Sequence, residues 1–277
     1  MAKAGTGWFT DQLRDHPDVW TPPVGEMSYL GQGTPSLRQS EKQLNRFSAD
    51  HRKTQKRRER HGIGDREIAF LEEIAALAGQ PRDLEKYVAL YRHKGNQKSV
   101  DTSPGYTLLD PDMIAQIARR LPDVRVVVLV RDPVARLWSH ISMLMRSATM
   151  DEDLLTKPEA FRNYLETEKV AGDRSKPTRV VAHWRNAAPE LAFRHFFFDD
   201  ISERPEQARR DVLEFLGLDP EKGGGIPAGY NRKAVRTKYE LSKELEAVIV
   251  EHYRDELRAC ADTLGGPAKQ WAARYGV

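Results

Sequence analysis

The sequence predicts an α/β protein of three layers, in which helices cover both faces of a central parallel sheet. Residues 126–130 form an unbroken run of valine and leucine, which is typical of a strand buried on both faces. Residues 98–130 read as strand, helix and strand, the repeating unit of a parallel sheet. Because 277 residues suffice for one large α/β domain, we expect a single domain over residues 1–277.

The composition excludes several classes of protein. The chain has 44 basic and 41 acidic residues, a net charge of +3, which does not require a nucleic acid partner but permits a local basic pocket for an anion. The single cysteine, Cys260, excludes an internal disulfide and a multi-cysteine metal site. Neither an apolar run of the roughly 20 residues that a membrane span needs nor a signal-peptide pattern is present. We therefore expect a soluble, cytoplasmic protein without a metal, whose oligomeric state the sequence leaves open.

The segment Val124–Met143 predicts where an anion binds. Its strand ends in Arg131, whose planar guanidinium matches a phosphate. Asp132 is suited to cap the next helix and Pro133 to occupy its first position. In open α/β sheets ligands bind at the carboxyl ends of strands, and a helix N-terminus there offers N–H groups to an anion. The alternative is an ordinary strand-to-helix crossover with a surface pair of Arg131 and Asp132.

The N-terminal segment predicts a second phosphate site. Residues 3–7, KAGTG, form a glycine-rich loop with a lysine, and helical spacing follows from Trp8 to Arg14. Backbone N–H groups of such a loop surround a phosphate, while the lysine supplies a point charge. A mobile N-terminus explains the glycine-rich composition equally well. The Walker A pattern is absent. A phosphate loop normally follows a buried strand, and since only Met1 and Ala2 precede this one, we expect the first strand to lie upstream, to be replaced or to be absent.

A candidate base and a charged segment come next. Residues 16–23 read as a turn-rich loop, and Glu26 follows between apolar residues, where a carboxylate is a candidate general base. Residues 36–64 are predicted to form a basic helical insertion, with RKTQKRRER at residues 52–60. This insertion is either a solvated surface excursion or a patch that attracts an anionic substrate or membrane surface. Nucleic acid is not expected, because no aromatic residues interleave with the charges.

Hydrophobic periodicity and end signals predict the remaining elements. Further strands are expected near residues 98–106, with Asp101 and Ser103 in the polar turn that ends the strand, and at residues 191–198. Helices are expected at residues 8–14, 65–79, 84–91, 110–120, 133–143, from 143 to about 171, 179–186, 205–216 and 241–257. Residues 221–239 form a glycine-hinged loop with four cations in seven residues, which either closes over a polyanion or is a solvated connector.

The order of these signals resembles that of the sulfotransferases that use 3′-phosphoadenosine 5′-phosphosulfate (PAPS). A lysine loop at the start, a strand–RDP–helix–serine element at the centre and a basic loop late in the chain follow the family's order over nearly the whole chain. The pattern is similar to bacterial and carbohydrate-type members, including the N-sulfotransferase domain that acts on heparan. The resemblance implies a P-loop-like α/β/α fold, sulfuryl transfer from PAPS with adenosine 3′,5′-bisphosphate as product, no metal, and a carbohydrate, lipid or small-molecule acceptor.

The resemblance also assigns residues by their positions in the family's motifs. It implies that the 5′-phosphosulfate is held by the loop Lys3, Ala4, Gly5, Thr6, Gly7 and Trp8, with Lys3 at the bridging oxygen. It implies that Arg131 and Ser139 bind the 3′-phosphate. It implies that the cofactor is covered by Tyr230, Arg232 and Lys233.

On the acceptor side, the resemblance implies that Glu26 is the catalytic carboxylate. It implies that Asp101 and Ser103 line the same edge of the cleft and contact the substrate. Two positions depart from the family pattern: Gly7 replaces a second threonine or serine, and Gly25 replaces the lysine usual before the glutamate.

Two other functions stay open at this point. A P-loop nucleotide kinase would share the fold and use ATP with Mg²⁺, although the missing Walker A pattern argues against it. A degenerate sulfotransferase-like module would bind nucleotide without catalysis, as the uncertain first strand and Gly7 suggest. The acceptor and the choice between O- and N-sulfation are not predicted. The segments 31–62 and 148–177 would shape the acceptor pocket, but they contain no motif that identifies an acceptor.

Overall fold

A computed structural model of the protein describes residues 1–31, 45, 55, 56, 58, 59, 62–167, 172–231 and 239–277. Within these residues, helices surround short parallel strands, so the predicted α/β class is confirmed. The basic insertion predicted at residues 36–64 falls mostly outside the described residues. Of the helices in the described ranges, none has both the length and the apolar character of a membrane span.

The strands form two parallel pairs. They are β1 (Val19–Trp20), β2 (Lys98–Ser99), β3 (Arg125–Val130) and β4 (Ala192–Phe197). β1 pairs with β2, and β3 pairs with β4 over its whole length. Among the described residues the strands therefore make two half-sheets, where a single central sheet was predicted.

Helices pack around these half-sheets. They are α1 (Thr6–Asp15), α2 (Asp65–Ala76), α3 (Leu84–Leu90), α4 (Pro111–Arg120), α5 (Pro133–Arg146), α6 (Pro158–Thr167), α7 (Pro177–Ala187), α8 (Phe198–Glu203), α9 (Pro205–Phe215), α10 (Lys243–His252), α11 (Arg254–Thr263) and α12 (Lys269–Arg274). Proline occupies the first turn of several of them, where its missing N–H costs nothing. The core is built from apolar faces such as that of α5, where Leu137 and Ile141 are fully buried.

Several predicted boundaries are wrong, although the short strand predicted within residues 98–106, before the polar turn, is confirmed as β2. Residues 16–23, expected to be a loop, contain β1. The helix expected at residues 241–257 is broken at Tyr253, whose backbone leaves the helical region at φ −105° and ψ 12°, so α10 and α11 are separate. The helical stretch expected from residue 143 to 171 is interrupted after α5 by a 3₁₀ turn at Glu152–Thr156 before α6 begins.

A cavity of about 690 Å³, which we call the inter-sheet cleft, separates the two half-sheets. Residues 98–104 line one side and residues 123–129 the other. Met1 is buried at the end of the cleft, where its amino group donates a hydrogen bond to the carbonyl of Leu129 at 2.9 Å. Met1 is therefore attached directly to β3, just before Arg131.

Candidate active site

The N-terminal loop and Arg131 meet at the carboxyl end of β3. The guanidinium of Arg131 donates a hydrogen bond to the carbonyl of Lys3 at 3.1 Å. The same guanidinium stacks on Phe198, the first residue of α8, at 4.3 Å from the ring centroid. Burial lowers the pKa of Arg131, but a guanidinium keeps its charge at neutral pH. The two predicted phosphate sites are thus neighbours in space, 128 residues apart in the sequence.

The backbone of the N-terminal loop turns through left-handed conformations before α1. Gly5, the N-cap, has φ 100°, and a Cβ there would lie 3.2 Å from side-chain atoms of both Phe198 and Ile201. Glycine is therefore required at this position both for its backbone conformation and for the close packing against α8. The first intrahelical bond runs from the N–H of Phe9 to Gly5, so earlier N–H groups of the first turn lie at the helix end that favours an anion.

Arg131 is fixed by the start of α5 and by the C-terminal residues. Asp132 caps α5 by accepting the N–H of Val134 at 2.9 Å, which confirms the predicted cap. Its other oxygen accepts hydrogen bonds from Tyr275 at 2.7 Å and Arg274 at 3.0 Å. Burial raises the pKa of Asp132, although these donors oppose the rise. The turn that presents Arg131 is therefore held from both sides.

A second acidic residue beside Arg131 is held in the same way. Asp199 accepts a hydrogen bond from the indole of Trp271 at 3.2 Å and lies 3.6 Å from the guanidinium of Arg274. The carboxylates of Asp132 and Asp199 are thus bonded to donors among residues 271–275. An anionic ligand could therefore bind Arg131 without first displacing either carboxylate from it.

Ser139 and His140 lie half-buried on α5, two turns after Arg131. The Nδ1 atom of His140 is buried and has no hydrogen-bond partner among the described residues. Burial, together with the charges of Arg136 and Lys3, lowers the pKa of His140 to about 4. His140 is therefore neutral at pH 7 in a strongly positive environment.

The loop predicted at residues 221–239 is bonded to both α1 and α5. The indole of Trp8 on α1 donates to the carbonyl of Ala228 at 2.6 Å. The indole of Trp138 on α5 donates to the carbonyl of Tyr239 at 2.9 Å. The loop therefore starts beside α1 and ends beside α5, next to Ser139.

The predicted cofactor residues of this loop are only partly described. Tyr230 is 46% exposed, more than any other large apolar side chain in the described ranges. Arg232 and Lys233 lie outside the described residues. Their roles stay predictions.

A series of threonines connects the start of α1 to the segment carrying Glu26. The hydroxyl of Thr10 lies 2.8 Å from the carbonyl oxygen of Thr6 and 3.3 Å from the hydroxyl of Thr102. Thr102 in turn lies 3.3 Å from the carbonyl oxygen of Gly25. Glu26, the next residue, is exposed. The predicted base is thus attached through hydroxyl groups to the helix that follows the lysine loop.

Asp101 and Ser103 also hold the Glu26 segment in place. Asp101 accepts hydrogen bonds from Ser103, from Tyr106 at 2.9 Å and from Tyr87 at 3.0 Å. The hydroxyl oxygen of Ser103 accepts the N–H of Ser28 at 2.7 Å. Burial raises the pKa of Asp101 despite these donors. Both residues line the inter-sheet cleft, and their predicted contact with substrate stays a prediction.

Replacing Asp101 by alanine is expected to lower the free energy of unfolding by about 2–3 kcal/mol, because buried hydroxyl donors lose their acceptor. Urea unfolding followed by circular dichroism measures this change. Asp262→Ala, at an exposed position near the end of α11, is the matched control and should change stability by less than about 0.5 kcal/mol. Equal effects of the two substitutions would contradict the structural role of Asp101.

Sequence reasoning missed Thr10, Phe198 and His140, and it placed Thr102 beside Asp101 and Ser103 without its contact to Thr10. Threonine pairs and single aromatic residues carry no motif, and their roles arise from contacts between distant segments. His140 had one available signal, because it directly follows Ser139 in the central motif.

Comparisons with known proteins provide independent evidence. A family model described as the Sulfotransferase family matches residues 1–222. The crystal structure of a sulfotransferase from Alicyclobacillus acidocaldarius is similar over 98% of this chain and 95% of that chain, with a TM-score of 0.62 and 18% identity. The sulfotransferase domain of the Synechococcus PCC 7002 olefin synthase covers 100% of this chain and 92% of its own, with a TM-score of 0.49 and 16% identity. A search of curated proteins found no significant match. From the extent of the family match, the chain belongs to the sulfotransferase family.

Proposed function

We propose that this protein transfers a sulfuryl group from PAPS to a hydroxyl or amine of a carbohydrate, lipid or small-molecule acceptor. The observation that carries this proposal is the hydrogen bond from Arg131 to the Lys3 carbonyl, which unites the two anion-binding elements at one sheet edge. Membership of the family supports the type of reaction.

The charges of the described residues fit a donor with several negative charges. Lys3, Arg136 and His140 are close enough for the first two to depress the pKa of the third. Arg131 adds a further cation, and the carboxylate of Asp132 beside it is bonded to Arg274 and Tyr275. An anion placed here would meet cationic side chains on several sides.

Each residue has a defined role in the proposed reaction. Sulfuryl transfer breaks the bond between sulfur and the phosphate oxygen and forms a bond to the acceptor's oxygen or nitrogen, so positioning and charge stabilisation dominate catalysis. Lys3 stabilises the charge that develops on the leaving phosphate oxygen, together with the N–H groups at the start of α1. Arg131 and Ser139 bind the 3′-phosphate and so select the nucleotide. Glu26 accepts the proton that the acceptor loses.

Calorimetry with adenosine 3′,5′-bisphosphate tests the choice of donor. We expect binding without a divalent cation, and binding at least about tenfold tighter than that of ATP with Mg²⁺, because a discrimination of 1.4 kcal/mol is within reach of one charge-assisted hydrogen bond. Tighter binding of ATP with Mg²⁺ would favour a nucleotide kinase instead.

A nucleotide-binding module without catalysis is the second candidate. The observation that favours it is the inter-sheet cleft, which Met1 and Thr6 line on either side of Lys3, so that the loop is joined to β3 through the bonds that Met1 and Arg131 make. Tight binding of adenosine 3′,5′-bisphosphate, combined with no turnover of PAPS on any acceptor in a broad panel, would support this candidate over the transferase.

A further inference from the structure

Arg131 lies beside two carboxylates of opposite charge. Asp132 is the next residue in the chain. Asp199 directly follows Phe198, whose ring centroid lies 4.3 Å from the Arg131 guanidinium. Burial lowers the pKa of Arg131, and the negative charges of Asp132 and Asp199 both oppose that change. Both carboxylates are therefore close enough to attract the guanidinium and to compete with an anionic ligand for it.

Neither carboxylate forms an ion pair with Arg131 in the part of the chain that the structure describes. Both pair instead with Arg274, at the end of α12. One terminal nitrogen of its guanidinium lies 3.0 Å from a carboxylate oxygen of Asp132, and the other lies 3.6 Å from a carboxylate oxygen of Asp199. The planar fork of one arginine is thus divided between two carboxylates.

The packing of α12 fixes the position of Arg274. Trp271, three residues earlier, is fully buried and meets the ring of Phe197 edge-on, with 5.8 Å between the ring centroids. Phe197 is the last residue of β4, which pairs with β3 over its whole length. The turn before α12 approaches the same ring closely, because a Cβ at Gly266 would lie 3.1 Å from it. These contacts hold the Arg274 guanidinium at the carboxyl end of β3.

The four charged side chains at this end of β3 balance one another. Arg131 and Arg274 supply two positive charges, and Asp132 and Asp199 supply two negative charges. Without Arg274, one positive charge would face two negative charges, and both carboxylates could turn toward the Arg131 guanidinium. An anionic ligand would then have to displace a carboxylate, and it would meet a less favourable charge.

We propose that Arg274 is a positioning residue of the anion site, which holds the carboxylates of Asp132 and Asp199 so that the guanidinium of Arg131 is available to a phosphate group of the ligand. Arg274 lies outside the residues 1–222 that match the family model. The identity of the ligand rests on the proposed function, whereas the need for Arg274 follows from the charges around Arg131.

Neutralising Arg274 is the first test. Arg274→Gln keeps a planar group with hydrogen-bond donors but removes the positive charge. We expect it to bind adenosine 3′,5′-bisphosphate about tenfold more weakly, because an unbalanced negative charge then lies beside the ligand. Arg274→Lys keeps the charge without the planar fork and should recover part of the affinity. Calorimetry measures the affinity of each variant.

A double variant separates the charge of Arg274 from a role in holding α12. Asp199→Asn removes one negative charge and keeps an oxygen that can accept the hydrogen bond from Trp271. Combined with Arg274→Gln, it restores the balance of charge, so we expect an affinity within about twofold of the unmodified protein. A purely structural role predicts no such recovery. Unchanged affinity in Arg274→Gln, or no recovery in the double variant, would overturn the proposal.

A control variant and a second probe complete the experiment. Arg254→Gln breaks a surface pair with Glu251 at the start of α11 and should leave the affinity unchanged. Inorganic pyrophosphate is the second probe. The same order of affinities with pyrophosphate would support the role of Arg274 even if the protein preferred pyrophosphate to the bisphosphate, a result that would contradict only the proposed donor. Tight binding of the bisphosphate by every Arg274 variant would overturn the role of Arg274 and leave the proposed function standing.

Discussion

The Arg131→Ala variant is expected to lose binding of adenosine 3′,5′-bisphosphate and to sulfate any acceptor roughly 100- to 1,000-fold more slowly. Arg131 is the cation that links the N-terminal loop to the end of β3, through its bond to the Lys3 carbonyl and its stacking on Phe198. Removing it deletes the guanidinium that is expected to hold the 3′-phosphate. It also releases the loop that is expected to hold the 5′-phosphosulfate. Calorimetry and initial rates with PAPS measure the two losses separately.

Two controls separate the role of Arg131 in binding from its role in the fold. Arg120→Ala removes the same charge from an exposed pair with Glu85 at the opposite end of the sheet, where such pairs contribute little. It should therefore bind the bisphosphate normally. Arg131→Lys keeps a charge but lacks the planar pair of donors, so it should recover only part of the affinity. If Arg131→Ala bound the bisphosphate as tightly as the unmodified protein, the proposed donor site would be wrong.

The Lys3→Met variant should lower the rate of transfer by roughly 100- to 1,000-fold while weakening the binding of adenosine 3′,5′-bisphosphate much less. The reason is that Lys3 is expected to stabilise charge on the leaving oxygen, which develops mainly in the transition state. Methionine keeps an unbranched side chain that is one atom shorter, without the charge. Single-turnover kinetics with PAPS separate this effect on the chemical step from an effect on binding.

A comparison of Lys3 with Glu26 makes this test specific. Glu26→Gln should also slow transfer, but it should leave the affinity for the bisphosphate unchanged, because Glu26 is expected to face the acceptor. Lys222→Ala, which breaks an exposed pair with Asp18, is the charge-matched control and should change neither quantity. A Lys3→Met variant that retained full turnover would exclude Lys3 from the reaction.

The strands of the second half-sheet were predictable because each is a local feature. Residues 126–130 and 191–198 were predicted, and the strands lie at Arg125–Val130 and Ala192–Phe197. Residues 126–130 are an unbroken apolar run, and residues 191–198 are apolar or aromatic apart from Arg194 and His195, a composition typical of strands in a sheet. β1 was not predictable in this way. Its two residues form a strand only by pairing with Lys98 and Ser99, which lie far along the chain. No local sequence pattern predicts such a pairing.

The candidate site was predictable as a set of segments but not as an arrangement. Lys3, Asp132 and Arg131 were identified from the residue types that anions and helix ends require, and the cap formed by Asp132 is confirmed. The direct contact between Arg131 and Lys3 was not predicted, because it depends on how Met1 attaches to β3. The hydrogen bonds around Asp101 were not predicted from the sequence for a similar reason. Tyr87 and Tyr106 come from separate elements, and their hydroxyl groups converge only in the folded chain.

The contacts of Asp132 and Asp199 with Trp271, Arg274 and Tyr275 have a consequence for the synthesis of the protein. The chain emerges from the ribosome N-terminal end first, and domains generally fold as units during or after synthesis. The lysine loop and β3 are therefore made long before the residues that brace the turn carrying Arg131. That turn obtains its full set of bonds only when the last residues of this sequence have left the ribosome, so an incomplete chain cannot assemble a complete anion site.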